Sequence, residues 1–411
     1  MASAHLENWQ LRFWVIVSGQ ALSQIGSAVS QFILLWWIAS TSGEVGALAT
    51  GGIFALLPQA LLGPLGGVLA DRYSRRLIMI LSDTITACCM LVLISLFAQD
   101  RVELWHVYTL LAVRSSMQAF QGPASQASAV MLVPESFLTR AAGLNQIVLS
   151  LMTIAAAPIG AFAMSLLPFQ GALMIDVVTA TLGIIPLLIF KIPQPERTSA
   201  TTSAWREFKD GIDLVWHSPP LRQLYALNGT LIMILMPTFT LVPLLVTRHF
   251  KGDISFVATM EGLAGVAMLL GGVATTILVP KRKVITLLLG LAICSFAVGL
   301  TAVATRETFI VAVFFWCLSG FAYTYGNTPV VALLQQKIPP QLQGRAFSLL
   351  TTVAALAAPA GLTLFGPLGD IIGIRELYIL AGTVGGLICV ASLWSRGLRQ
   401  LESAEKLEVN G

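Results

Sequence analysis

Twelve apolar runs of bilayer-crossing length follow one another along this chain, and polar residues are left only to the short links between them. The runs fall at 12–39, 45–70, 77–98, 105–131, 141–167, 171–190, 222–247, 255–279, 284–303, 308–334, 346–368 and 376–395. A helix needs ~20 apolar residues to cross a bilayer, so these runs use nearly all of the 411 residues and leave no room for a large soluble domain. Charged residues make up 11% of the chain, against about 25% in soluble domains, and the mean hydropathy is +0.81. The fold class expected is an all-α, multi-pass membrane protein with twelve transmembrane helices.

The basic residues set an orientation. With both termini on the cytoplasmic side, 18 of the 24 Lys and Arg residues fall in cytoplasmic segments. That asymmetry is what membrane insertion favours, and it suits an even number of spans. The formal net charge of +4 therefore reads as topology. Dispersed over many short loops, these cations do not form a nucleic-acid surface. The five cysteines lie inside apolar runs without metal-ligand spacing and read as small buried hydrophobes. No cleavable signal pattern precedes the first run, which itself serves as the insertion signal. Prolines within the runs (Pro58, Pro158, Pro237, Pro243, Pro359) predict bent helices.

The longest polar interruption, 192–221, divides the chain into an N-terminal six-helix bundle (1–191) and a C-terminal one (222–395), with a cytoplasmic tail at 396–411. Trp205, Phe208, Ile212 and Val215 recur there at helical spacing among charged residues, which predicts a helix lying on the membrane surface. The two halves repeat. Gly66-Gly67-Val68 returns 205 positions on as Gly271-Gly272-Val273, and Pro134 with Arg140 returns at the same interval as Pro339 with Arg345. Ala156-Ala157-Pro158 with Gly160 returns 201 positions on as Ala357-Ala358-Pro359 with Gly361.

Between the second and third runs lies Gly66-Gly67-Val68-Leu69-Ala70-Asp71-Arg72-Tyr73-Ser74-Arg75-Arg76. It resembles the loop signature of the major facilitator superfamily, Gly-x-x-x-Asp-Arg-x-Gly-Arg-Arg, with Ser74 in place of the last glycine. Gly67 is expected to let the second helix approach a neighbour closely. The resemblance implies a conformational latch of Gly67, Asp71, Arg72, Arg75 and Arg76, joined by Asp83 and by Arg345 of the second half. The residues alone give a tight turn with a positive-inside anchor. The second-half equivalent has Thr276 where Asp71 stands.

Arg114 is the costliest residue inside a run, because a mid-span charge costs ~2.5–3.5 kcal/mol on insertion scales. Gln118, Gln121 and Ser125 continue one polar stripe from it. The order Arg114, Gln121-Gly122 resembles the superfamily's fourth-helix pattern, which implies proton coupling. The other reading is a structural arginine held by carbonyls and an acid. Asp176 and Glu261 are acids in apolar surroundings. Burial opposes ionisation of any carboxyl, so such a group can load and release a proton. Each also lies close enough to a span end to be a vestibule acid in contact with water. A substrate cavity is expected from Gln20, Gln24, Gln31, Gln118, Gln121, Asn145, Asn228, Met233, Met236, Phe239, Tyr323, Tyr325 and Asn327, polar groups set among adaptable Met and aromatic side chains.

Over nearly its whole length the chain resembles the macrolide-efflux branch of the twelve-span drug:proton antiporters. The residues that carry this are Gly63-Pro64 with Asp71-Arg72, Leu132-Val133-Pro134-Glu135, Ile175-Asp176-Val177, His249-Phe250 before Glu261, and Gly344-Arg345-Ala346-Phe347-Ser348-Leu349 after Lys337-Ile338-Pro339. The resemblance implies two pseudo-symmetric six-helix bundles and proton-driven export of amphipathic molecules from a bacterial cell by a monomer in the inner membrane. Protons, a small-molecule substrate and membrane lipids are the implied partners, with no cofactor. Export of one metabolite, such as a siderophore or a lipid, is the second reading, and a non-transporting receptor the third. No nucleophile, paired His/Asp or metal-ligand pattern supports an enzyme.

Overall fold

The computed structural model describes residues 9–190, 192, 212–213, 215–278 and 280–402. They form helices and connecting turns, with no strand among the described residues. The long helices are α1 (Trp9–Ser42), α2 (Val45–Arg72), α3 (Arg75–Ala98), α4 (Leu104–Met131), α5 (Leu138–Leu166) and α6 (Phe169–Ile189). They continue as α7 (Pro219–Thr240), α8 (Ile254–Ile277), α9 (Lys283–Thr301), α10 (Phe309–Lys337), α11 (Pro340–Ile372) and α12 (Ile374–Ser392), followed by a short α13 (Arg396–Gln400).

Among the described residues, nine helices are long and apolar enough to cross a membrane, or eleven when each of two bent pairs is taken as one span. This departs from twelve uniform spans, for physical reasons visible in the sequence. Helix α4 carries Arg114, Ser115, Gln118, Gln121, Ser125 and Ser128, and Arg114, Ser115, Gln121 and Ser128 are buried. These polar residues lower its apolarity, and because they turn into the protein α4 is not a surface helix. Helix α7 bends by 47° into Val242–Phe250, between Pro237 and Pro243. At Pro58 of α2, the neighbouring Gln59 N–H is taken up by the Ser115 hydroxyl at 3.0 Å, as a proline inside a membrane helix requires.

The chain divides into two compact units, residues 1–38 with 54–201, and residues 39–53 with 202–411. The linker and the surface helix expected in it fall largely outside the described residues, Trp205 and Phe208 included. The repeat read from the glycines is present as the same packing in each unit. Helix α3 packs on α4 and α6 in the first unit, and α9 packs on α10 and α12 in the second. A Cβ on Gly66 would strike the Ala119 carbonyl of α4, and one on Gly271 would meet the Phe321 carbonyl of α10 at 2.5 Å. Gly160 makes room for Phe32 of α1 on α5, and Gly361 for the Met233 carbonyl of α7 on α11. Gly67, by contrast, has nothing within 4 Å of a built Cβ. The close approach assigned to Gly67 therefore belongs to Gly66, one residue and about 100° round the helix. Among the cysteines, Cys294 and Cys389 are buried but Cys88 is exposed, so the uniform burial expected does not hold.

In the second unit, Asp370 near the end of α11 accepts hydrogen bonds from the first N–H groups of α2, Val45 at 2.8 Å and Gly46 at 3.0 Å. A side-chain cap of this kind is worth ~0.5–2 kcal/mol. Asp370→Ala is expected to lower the melting temperature in detergent by that much stability, with Asp370→Asn close to wild type. Identical melting of the alanine variant would show that the cap contributes nothing.

Candidate functional site

The charged turn after α2 is held by backbone carbonyls at helix ends. Arg75 donates to the carbonyls of Ala70 (3.1 Å) and Ala127 (3.0 Å). Arg76 donates to those of Leu187 and Leu188 at the end of α6. Cations are favoured at helix C-termini, so these arginines tie the ends of α2, α4 and α6 together. Ser74, which replaces the glycine of the loop pattern, caps α3 by accepting from Leu77 N–H. The turn needs no glycine there, because Ser74 has φ −62°. The side chain of Asp71 lies outside what the structure describes.

Asp83 does not join this turn. It sits well inside α3, 4% exposed, and its carboxylate accepts from Gln121 Nε2 (2.7 Å), Ser23 Oγ (3.0 Å) and Gln20 Nε2 (3.2 Å). Gln20 also donates to the Gly183 carbonyl of α6 and accepts from Gln121. The assignment of Asp83 to a latch beside Arg75 and Arg76 is thus corrected. Helical rotation turns it toward α1 and α4, whereas Arg75 and Arg76 reach helix ends.

One to two turns along α1 lies a second polar cluster. Arg114 of α4 faces Asp176 of α6 at 3.7 Å, and both are buried. Ser27 Oγ donates to Asp176 Oδ1 at 2.8 Å, and Arg114 Nη2 donates to the Ser27 carbonyl. The facing atoms, Arg114 Nη1 and Asp176 Oδ2, have no hydrogen-bond partner of their own. With 1% exposure, Asp176 is not an acid open to a vestibule.

A cavity of about 30 Å³ in the first unit is lined by Gln20, Gln24, Ser125, Ser128 and Asn145 together with Phe13, Met79, Leu132 and Val148. It has room for a water molecule or two and is far too small for a drug-sized ligand. Gln24, Asn145 and the Gln20 amide are therefore brought to one place, but this cavity as it stands is not the substrate chamber. Gln31 and Gln118 are half-buried on α1 and α4.

In the second unit, Glu261 Oε1 is buried without a hydrogen-bond partner, as are Trp316 Nε1 and Asn327 Oδ1. Glu261 lies within electrostatic range of Tyr378, whose hydroxyl donates to the Thr238 carbonyl. Trp316 packs between Phe239, with ring centroids 4.9 Å apart, and Tyr378, 6.4 Å away. Helices α7, α10 and α12 thus meet in an aromatic cluster, and the Glu261 carboxyl of α8 lies within electrostatic range of its Tyr378. Met233, Met236 and Asn228 are half-buried on α7. Tyr323 packs instead against the apolar core of this unit, and Tyr325 stacks on Phe321 and donates to the Leu278 carbonyl. Arg345, at the start of α11, is half-buried. Sequence reasoning passed over Ser23, Ser27 and Tyr378. The two serines continue Gln20 at helical spacing (20, 23, 27), a signal masked because serine is also a common packing residue in membrane helices.

This architecture, helices of membrane-spanning length repeated in two units with charges buried inside, is that of a multi-pass membrane protein. Solved structures with the same fold include a mutant of the nucleoside transporter NupG, with a TM-score of 0.76 at 12% identity over 94% of this chain and 99% of that one. A POT family transporter bound to 5-aminolevulinic acid superposes with a TM-score of 0.69 at 14% identity, covering 94% of this chain and 95% of that one. The Major Facilitator Superfamily profile matches residues 16–362, and the chain belongs to that superfamily. It is 31% identical to macrolide efflux protein A of Streptococcus pyogenes, over 93% of this chain and 95% of that protein. It is 23% identical to the multidrug efflux pump Tap of Mycolicibacterium fortuitum, over 93% and 95%. Its relatives are transporters of small molecules, not enzymes.

Proposed function

We propose that this protein exports amphipathic, drug- or macrolide-like molecules from a bacterial cell by proton-coupled alternating access. The observation that carries the coupling is the buried Arg114–Asp176 pair. An ion pair inside a membrane bundle is costly to keep and marks a proton or ion pathway more often than a scaffold. Protonation of Asp176 would release Arg114 from it. Glu261, whose Oε1 is buried without a hydrogen-bond partner, is the acid of the second unit that a proton or a cationic substrate can neutralise. Gln118, Gln121, Asn228, Met233, Met236, Phe239 and Asn327 remain the proposed contributors to the substrate chamber. The loop from Gly67 to Arg76, with Arg345, is proposed as the conformational latch. Both termini are placed in the cytoplasm and the protein acts as a monomer in the inner membrane.

Purified protein in liposomes is expected to accumulate radiolabelled erythromycin or tetraphenylphosphonium against a gradient only when a proton gradient is imposed. Asp176→Asn or Glu261→Gln is expected to alter the pH profile of that accumulation. Gradient-independent transport by the wild type rules out proton coupling, and unchanged profiles in both variants remove these acids as carriers. The second reading is export of one siderophore-like or lipid metabolite. An accumulation panel of drugs and siderophores in cells lacking their own exporters separates the two.

A further inference from the structure

Of the Gln20–Ser23–Asp83–Gln121 cluster the mechanism above uses only Gln121, and the composition of the whole is informative. We propose that Asp83 is a proton-binding carboxyl of the first unit, reached through the small polar cavity beside Gln20 and linked to the Arg114–Asp176 pair by one face of α1. The inference rests on the proton-coupled reading for its purpose in transport, but not for the existence of the site.

The partner chemistry distinguishes the two acids. Asp176 faces the guanidinium of Arg114, which has donors and no acceptor, so a proton on that acid breaks an ion pair. Among the described residues, Asp83 is hydrogen-bonded by Gln20, Ser23 and Gln121. An amide and a hydroxyl each offer both a donor and an acceptor. By rotating, they can donate to the carboxylate or accept from the neutral acid, so Asp83 can change protonation state without leaving a broken ion pair. Asp83 makes no ion pair among the described residues. The charged groups facing it are few. Helix α6 presents Asp176, α4 presents Arg114 beyond Gln121, α1 presents only Gln20 and Ser23, and on α3 itself Arg75 is committed to carbonyls.

Access and linkage come from the same residues. Gln20 both bonds Asp83 and lines the cavity, and Met79, one turn before Asp83, lines it too. The cavity has space for water and reaches Phe13 and Leu132, at the end of the unit where Arg75 and Arg76 tie the helices. Rotation of the Gln20 amide would open Asp83 to that water. On α1, residues 20 and 23 hold Asp83 while residue 27 holds both Asp176 and Arg114. These positions share one helix face. A change in the bonding of Asp83 therefore acts on the segment of α1 that positions the ion pair.

Infrared titration of the purified, full-length transporter in lipid nanodiscs tests this. The wild type is expected to show a protonated-carboxyl band that appears and disappears reversibly with pH. Asp83→Asn is expected to lose that band, whereas Asp176→Asn and Glu261→Gln keep it. Retention of the full band in Asp83→Asn overturns the proposal. Should Asp83→Asn fail to fold, Gln121→Leu and Gln20→Leu keep the acid and remove its partners, and a band unmoved in both also overturns it. A second arm measures proton-driven accumulation of tetraphenylphosphonium in liposomes. A normal band with no effect of the proton gradient on wild-type transport defeats the export reading while Asp83 stands as a proton site. Loss of the band in Asp83→Asn with undiminished proton-driven accumulation defeats its part in coupling.

Discussion

Arg114→Leu is expected to abolish export and to destabilise the folded protein by about 3–5 kcal/mol, the usual cost of breaking a buried ion pair from one side. The reason is what is left behind. Asp176 is 1% exposed, and without Arg114 its charge keeps only the Ser27 hydroxyl as a donor. The Ser27 carbonyl loses its donor as well. Melting in detergent and folded yield report the first effect, and drug accumulation in a strain without its own exporters reports the second. The double variant Arg114→Leu/Asp176→Leu separates them. Removing both charges is often neutral or stabilising, so folding is expected to recover while transport stays absent. A purely structural arginine predicts the opposite for the double variant, with export returning along with stability. If Arg114→Leu melts like the wild type, the pair is not the buried interaction described here.

What could be read in advance follows how strongly each feature constrains a chain in a membrane. Spans are legible because a bilayer demands ~20 apolar residues and tolerates few charges. Arg114 stood out for the same reason, and Asp176 with it. The glycines at 66 and 271 carried the repeat because both bring a helix against a neighbour's carbonyl. Which of two adjacent glycines does so is a question of helical phase, and a short motif does not carry phase. Asp83 was drawn toward the charged turn by its nearness in sequence, yet its helix turns it to α1. Its partners Gln20 and Ser23 lie 63 and 60 residues away. Ser27 and Tyr378 act through bonds to residues distant in sequence, and nothing in their local sequence distinguishes such a serine or tyrosine from one that only packs. The polar face of α4 was legible as a stripe. That the same residues take α4 out of the set of apolar spans follows from its composition, whereas which neighbours bury them does not.

Gly66→Ala and Gly67→Ala are expected to differ sharply although both alter the same motif. A Cβ on Gly66 runs into the Ala119 carbonyl oxygen, with the Phe120 backbone beyond it at 3.4 Å. Backbone cannot rotate aside as a side chain can, so α2 and α4 must move apart. Overpacking of this kind typically costs ~1–3 kcal/mol, and Gly66→Val is expected to exceed the alanine variant and to prevent accumulation of folded protein. At Gly67 a Cβ meets nothing within 4 Å, and alanine is favoured over glycine inside a helix by ~0.5–1 kcal/mol. Gly67→Ala is therefore expected to melt at or slightly above the wild-type temperature. Its transport rate then isolates the proposed latch: a stable Gly67→Ala protein that turns over slowly places a need for glycine in the moving state, because the structure described here shows none. Unimpaired turnover would leave Gly66 as the only packing glycine of the pair. Equal melting of Gly66→Ala and Gly67→Ala would contradict the close approach of α2 and α4, and with it the matching contact of Gly271 on α10.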